Sequence, residues 1–134
     1  MEGNIRYNST MFEWRFRITP GIIPLPFLEK AHFASWGRNP RLSQTTVHNN
    51  ELIVYAESFG SGTVHVPMLH TPLGVVMEST ESLLGRREPY FLMRELARGS
   101  LGRFQRRLFD WQMLGFQQPQ ELDYQVRQIV KRFF

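Results

Sequence analysis

The spacing of the apolar residues changes once along this chain, near residue 80, and that change constrains the fold more than any other feature. Before it, apolar residues recur at every second position; after it, at every third or fourth. The first spacing belongs to strands with one buried face, the second to amphipathic helices. Strands followed by helices predict an α+β domain, not alternating βαβ units. With 134 residues there is enough chain for one hydrophobic core.

Met11 to Thr19 alternates without a break. Phe12, Trp14, Phe16 and Ile18 fall on one side, and Glu13, Arg15, Arg17 and Thr19 on the other. Pro20-Gly21 ends this strand. Leu42 to Glu57 reads as a hairpin turning at Asn49-Asn50, because Asn tolerates the positive φ that a tight hairpin turn requires. After a turn at Phe59-Gly60-Ser61-Gly62, a second hairpin joins residues 63–69 to 75–78 across His70–Gly74. Pro67 cannot donate a ladder hydrogen bond, so its strand is expected at an edge or a bulge. Between the first strand and the first hairpin lie Pro20, Pro24, Pro26 and Pro40 with Phe27, Phe33 and Trp36. This irregular stretch reads as a loop packed on the core or carrying function, with a helical turn or two between Leu28 and Ser35.

Beyond residue 80 the pattern predicts a short helical turn opened by Ser79-Thr80-Glu81 and closed by Gly85. A long helix then starts at Glu88-Pro89, where proline suits the first position. Ala97, Leu101, Phe104, Leu108 and Trp111 form its expected buried stripe, with Arg94, Arg98, Arg103, Arg106 and Arg107 largely off it. Gly99 and Gly102 each cost about 1 kcal/mol relative to Ala inside a helix. Either the helix breaks there or it passes close to another element. Gly115 is the expected stop. Gln118-Pro119 begins a second helix with Leu122, Val126, Ile129 and Phe133 on one side. The expected architecture is a small antiparallel sheet or jelly-roll-like sandwich (11–79) followed by two C-terminal helices (80–134), in a single domain 1–134. The second helix runs to Phe133-Phe134 without a polar cap, which leads us to expect the N-terminal part of a longer chain or a helix end covered by a partner.

Several chemistries are excluded. There is no cysteine, hence no disulfide, thiolate metal site or cysteine nucleophile. No apolar run is long enough for a transmembrane helix. The N-terminus lacks the apolar stretch of a secretory signal, which points by default to the cytoplasm. His32, His48, His65 and His70 show no metal-ligand spacing. Glu51, Glu57, Glu78 and Glu81 lie near strand or turn ends, but nothing in their spacing selects a catalytic pair. Neither G-x-S-x-G nor a phosphate-binding glycine loop occurs. No enzymatic activity and no cofactor are therefore expected.

The chain has 14 Arg but 2 Lys, and the excess is lopsided. Residues 1–85 carry a net charge of −1 and residues 86–134 a net charge of +5. We read the second set as the solvated sides of two amphipathic helices; the alternative is an Arg-presenting surface for a protein or anionic partner. Nucleic acid is disfavoured, because Phe104 and Trp111 lie on the apolar stripe and not among the arginines. A sugar-binding surface would set a flat aromatic ring against a sugar's apolar face and polar side chains against its hydroxyls. Trp36, in the turn-rich Ala34-Ser35-Trp36-Gly37-Arg38-Asn39-Pro40, together with Arg38 and Tyr55 at the sheet margin, are the candidate ligand-binding residues.

The segment Leu84-Gly85-Arg86-Arg87-Glu88-Pro89-Tyr90-Phe91-Leu92-Met93-Arg94-Glu95-Leu96-Ala97-Arg98-Gly99-Ser100-Leu101, with Phe109–Gly115 after it, resembles the end of the N-terminal module of bacterial endo-xylanase-like proteins, whose C-terminal half is similar to family-ten glycoside hydrolases. The match is carried by Arg87, Pro89, Tyr90, Leu92, Glu95, Leu96, Ala97, Arg98, Gly99 and Trp111 and covers about residues 84–115. What the resemblance implies is a non-catalytic accessory module with polysaccharide as candidate ligand, and a downstream catalytic domain or partner subunit packed on the C-terminal helix. The residues themselves give a plainer account of the same stretch: Glu95 and Arg98, three apart on a helix, can pair, while Tyr90 and Leu92 anchor the helix to the sheet.

Overall fold

The computed structural model describes residues 10–34, 43–58 and 60–133. Two four-stranded sheets come first. In one, β1 (Thr10–Arg17) lies between β4 (Glu51–Ser58), antiparallel to it, and β8 (Arg86–Phe91), parallel to it; β3 (Ser43–His48) pairs antiparallel with β4 at the far edge. In the other, β5 (Ser61–His70) is flanked by β2 (His32–Ala34) and β6 (Gly74–Ser79), and its first residues also pair with β7 (Leu83–Leu84). A single turn, α1 (Leu25–Leu28), precedes β2; α2 (Leu92–Met113) and α3 (Gln120–Phe133) follow β8. The fold is α+β, with largely antiparallel sheets followed by two C-terminal helices. Among the described residues, no helix is long and apolar enough to cross a membrane.

Strand alternation builds the core. Trp14 and Phe16 of β1, and Leu52, Val54 and Ala56 of β4, are buried against Phe33 of β2 and Val64 and Val66 of β5. Trp14 stacks on Phe33 with ring centroids 4.5 Å apart, locking one sheet to the other. The indole N–H of Trp14 donates to the Leu83 carbonyl at 2.9 Å, so the ring's polar atom is satisfied and β7 is pinned to the core. Asn49 and Asn50 take φ values of 50° and 60°, closing the β3–β4 hairpin as expected. Pro67 sits opposite Met77, beyond the reach of β2, which pairs only with Thr63–His65; its missing donor therefore faces an unpaired stretch.

Three stretches depart from their sequence pattern. Residues 79–91 form no helical turn. Thr80 prolongs the ladder instead: its N–H donates to the Val64 carbonyl at 3.0 Å and its hydroxyl accepts from the Val64 N–H at 3.1 Å. Glu88 and Pro89 belong to β8, and the helix begins only at Leu92. Proline is tolerated there because β8 is an edge strand whose pairing with β1 slips between Trp14 and Phe16. The Tyr90 hydroxyl donates to the Leu84 carbonyl at 2.7 Å, holding that edge down. The helical turn expected between Leu28 and Ser35 lies instead at Leu25–Leu28, set by Pro24 before it and Pro26 within its first turn, and His32–Ala34 is strand.

The third departure is the buried face of α2. Leu92, Glu95, Leu96, Gly99 and Gly102 face the sheets; of the expected stripe Leu108 is buried, Ala97 and Leu101 are half-buried, and Phe104 and Trp111 are exposed. A Cβ on Gly99 would come within 1.9 Å of the Ser79 carbonyl oxygen, and one on Gly102 within 2.0 Å of a Glu81 carboxylate oxygen. The helix does not break at its glycines; it uses them to cross the end of β6 closely. Arginines then fasten it. Arg103 donates to the Ser79 carbonyl at 3.0 Å and to Glu78 at 3.0 Å, and Arg106 donates to Glu81 at 3.2 Å.

The C-terminal end of α2 and all of α3 form an arm with a different character. Gly115, at φ 103°, donates to the Gln112 carbonyl while Phe116 donates to the Trp111 carbonyl, the paired bonds that end a helix on a left-handed residue. The Phe116 and Trp111 rings meet edge-on over this turn at 6.1 Å. α3 returns against α2, with Leu108 facing Val126 and Val130 across an open cleft, yet no residue of α3 is buried. Arg98 pairs with Glu95 at 3.5 Å, as their spacing predicts, and also donates to the Phe133 carbonyl, so a side chain of α2 caps the end of α3.

Candidate functional site

The face of the first sheet turned away from the core carries the best-organised set of polar side chains. Its strands place Tyr55 of β4 directly between Glu13 of β1 and Gln44 of β3, and Ile53 between Arg15 and Thr46. Directly opposed residues bring their Cβ atoms to about 4.5–5.5 Å, so the flanks of the Tyr55 ring are a carboxylate and an amide. Ile53 is buried and gives the face an apolar floor, while Tyr55 is half-buried. Arg15 donates to Glu13 within its own strand and to Glu51 across the ladder at 3.1 Å. The hydrogen bond to Glu13, ahead of the other contributions, holds the guanidinium even more firmly protonated than is usual for arginine. A carboxylate is thereby fixed beside an amphipathic ring, and Arg15 ties it to Glu51 further along β4.

Of the three residues that the sequence singles out, the structure places Tyr55; Trp36 and Arg38 lie outside the described residues. Glu13, Arg15 and Gln44 are the residues that sequence reasoning misses. Alternation puts Glu13 and Arg15 on the outer side of their strand, but only the non-local register brings them to Tyr55.

The second sheet holds the other titratable cluster. His32 and His65 oppose each other across β2 and β5, their rings stacked at 5.2 Å and 7° from parallel. The His65 Nε2 lies 3.0 Å from the Thr63 hydroxyl. Burial above all, then the nearby His32 and Arg103, lowers the pKa of His65 below the ordinary histidine value. His70 meets Glu78 at 3.0 Å, and Glu78 is shared with Arg103. Glu51, Glu78 and Glu81 each pair with an arginine. Among the described residues, no three His, Asp or Glu side chains converge as a metal ion would require.

No known protein family, no curated protein and no solved structure matches this chain.

Proposed function

We propose that this chain is a non-catalytic accessory module of a glycoside-hydrolase-like protein, in which the outer face of the first sheet contacts polysaccharide and the helical arm seats the module on its neighbour. The observation that carries this reading is the setting of Tyr55: a partly exposed ring over the Ile53 floor, flanked by Glu13 and Gln44 and close to the fixed Arg15–Glu51 pair. A sugar ring offers apolar C–H faces and a rim of hydroxyls, and this surface offers one partner for each. Trp36 and Arg38 join the site on their sequence context alone.

The reading in which the arginines form an anion-binding surface loses support, because Arg103 and Arg106 bind the sandwich and Arg98 caps α3. Protein docking through the arm gains support from its exposed apolar residues, among them Phe109, Trp111, Met113, Leu114 and Phe116.

Titration with xylo-oligosaccharides, followed by calorimetry, tests the sugar reading. Binding is expected to survive moderate salt and to weaken about five- to tenfold in Tyr55→Ala, roughly the loss of one aromatic contact of 1–1.5 kcal/mol. Binding that is absent, or that falls steeply with salt, would leave the anionic or protein partner as the better reading.

A further inference from the structure

The β6 edge of the second sheet differs from both edges of the first. An exposed strand edge offers unpaired N–H and C=O groups, and proteins guard such edges with charge, proline or a covering element. β8 carries Arg86, Arg87, Glu88 and Pro89, and β3 reads Ser43-Gln44-Thr45-Thr46. β6 instead presents Val75-Val76-Met77, and its acidic residue, Glu78, is held by Arg103 and His70. On the outer face of this hairpin Val75 is 60% exposed, Met77 49%, Leu69 63% and the turn residue Leu73 75%.

The ladder fixes which backbone groups are available. Thr80 bonds to Val64, so alternation directs the groups of Glu78, Val76 and Gly74 toward β5 and those of Ser79, Met77 and Val75 outward. Ser79 is covered where α2 crosses it, its carbonyl taken by Arg103. Val75 and Met77 remain, and no backbone hydrogen bond engages their outward groups among the described residues.

We propose that β6 pairs antiparallel with β6 of a second copy of this chain, Val75 opposite the second copy's Met77 and Val76 opposite its own counterpart. This register uses all the available outward groups of both strands in hydrogen-bonded pairs. Shifting it by one residue would set outward side chains against inward ones. Shifting it by two residues would call either on Ser79, already occupied, or on Leu73 in the turn. The arrangement is isologous, so a two-fold axis closes it and no fibre grows. Charge fits the same occupant. The chain carries a net +4, but the edge carries a single charge, Glu78, which is offset by Arg103 and falls opposite the second copy's Gly74, so no like charges meet across the pairing. Such an edge buries less than the roughly 1,200–2,000 Å² of a stable interface, so the dimer is weak and dissociates on dilution.

The absence of cysteine from the chain makes the test direct. Val76 faces its own counterpart in a non-hydrogen-bonded pair, with Cα atoms about 4.5 Å apart, within disulfide reach. Under mild oxidation Val76→Cys is expected to become a covalent dimer, at least about tenfold faster than Leu69→Cys, which lies on the same hairpin away from the axis. Adding Met77→Lys to Val76→Cys should abolish the cross-link, while the circular dichroism spectrum stays native. Sedimentation of the unmodified chain should show dimer growing with concentration. Cross-linking of Val76→Cys no faster than Leu69→Cys would overturn the proposal. So would a chain that stays monomeric at millimolar concentration, whether or not it takes up an added extended peptide.

Discussion

The sandwich and the helical arm are held by different forces. In the sandwich, Trp14, Phe16, Phe33, Leu52, Val54 and Val64 are completely buried, and their contacts run between two sheets. In the arm, α3 buries no residue, while Trp111, Met113, Leu114, Phe116, Tyr124 and Ile129 remain exposed. The join between the two is a close backbone crossing at Gly99 with arginine tethers around it. A core of the first kind supports itself. An arm of the second kind is stabilised by whatever covers it, which is why we place docking there and ligand contact on the sandwich.

The comparison can be broken at four points of decreasing size. Trp14→Ala empties the stack between the sheets and should cost about 3–5 kcal/mol in chemical denaturation, removing the cooperative transition at ambient temperature. Gly99→Ala should destabilise by about 1–3 kcal/mol even though Ala is the better helix former, since the new methyl meets the Ser79 carbonyl; stabilisation would mean that the crossing is loose. Val126→Asp places a charge in the cleft between α2 and α3. It should lower helical ellipticity and raise protease cleavage in residues 116–133, while the main unfolding midpoint stays within about 0.5 kcal/mol of the parent. An equal loss in both signals would show that arm and sandwich unfold as one.

The smallest effect is pH-dependent and centres on the second sheet. The pKa of His65 is lower in the folded state than its ordinary value of 6.5, mainly through burial. The unfolded chain therefore takes up the proton first. Stability contributed by neutral His65 is full above that value and is lost as pH falls through it toward the folded pKa. Denaturation midpoints of the parent should fall over this window relative to His65→Phe, and parallel pH profiles would count against buried His65 as the cause.

The sequence makes the local signals legible. Nine alternating residues mark β1, Asn49-Asn50 marks the β3–β4 hairpin, and Gly115 marks the end of α2. It misleads where a non-local contact overrides a local one. Glu88-Pro89 has the form of a helix start, but Phe16 and the Leu84 carbonyl draw Tyr90 into an edge strand. The buried face of α2 is lined partly by glycines, which carry no hydrophobic signal, so the apolar stripe read from the sequence is only partly right: Leu108 is buried and Ala97 and Leu101 half-buried, but Phe104 and Trp111 are exposed. The site divides in the same way. Tyr55 can be picked from sequence as an aromatic, but it lies on the inner strand β4 and not at a sheet margin, and its neighbours Glu13 and Gln44 come from strands 42 and 11 residues away and are set by register.

The central claim is that the outer face of the first sheet is a carbohydrate surface. It is tested most directly by following backbone amide resonances of the full chain during titration with a xylo-oligosaccharide. The account predicts shifts confined to β1, β3 and β4 around Glu13, Gln44 and Tyr55, unchanged by moderate salt and absent in Tyr55→Ala. Shifts confined to α2 and α3, or no shifts at millimolar sugar, would contradict it.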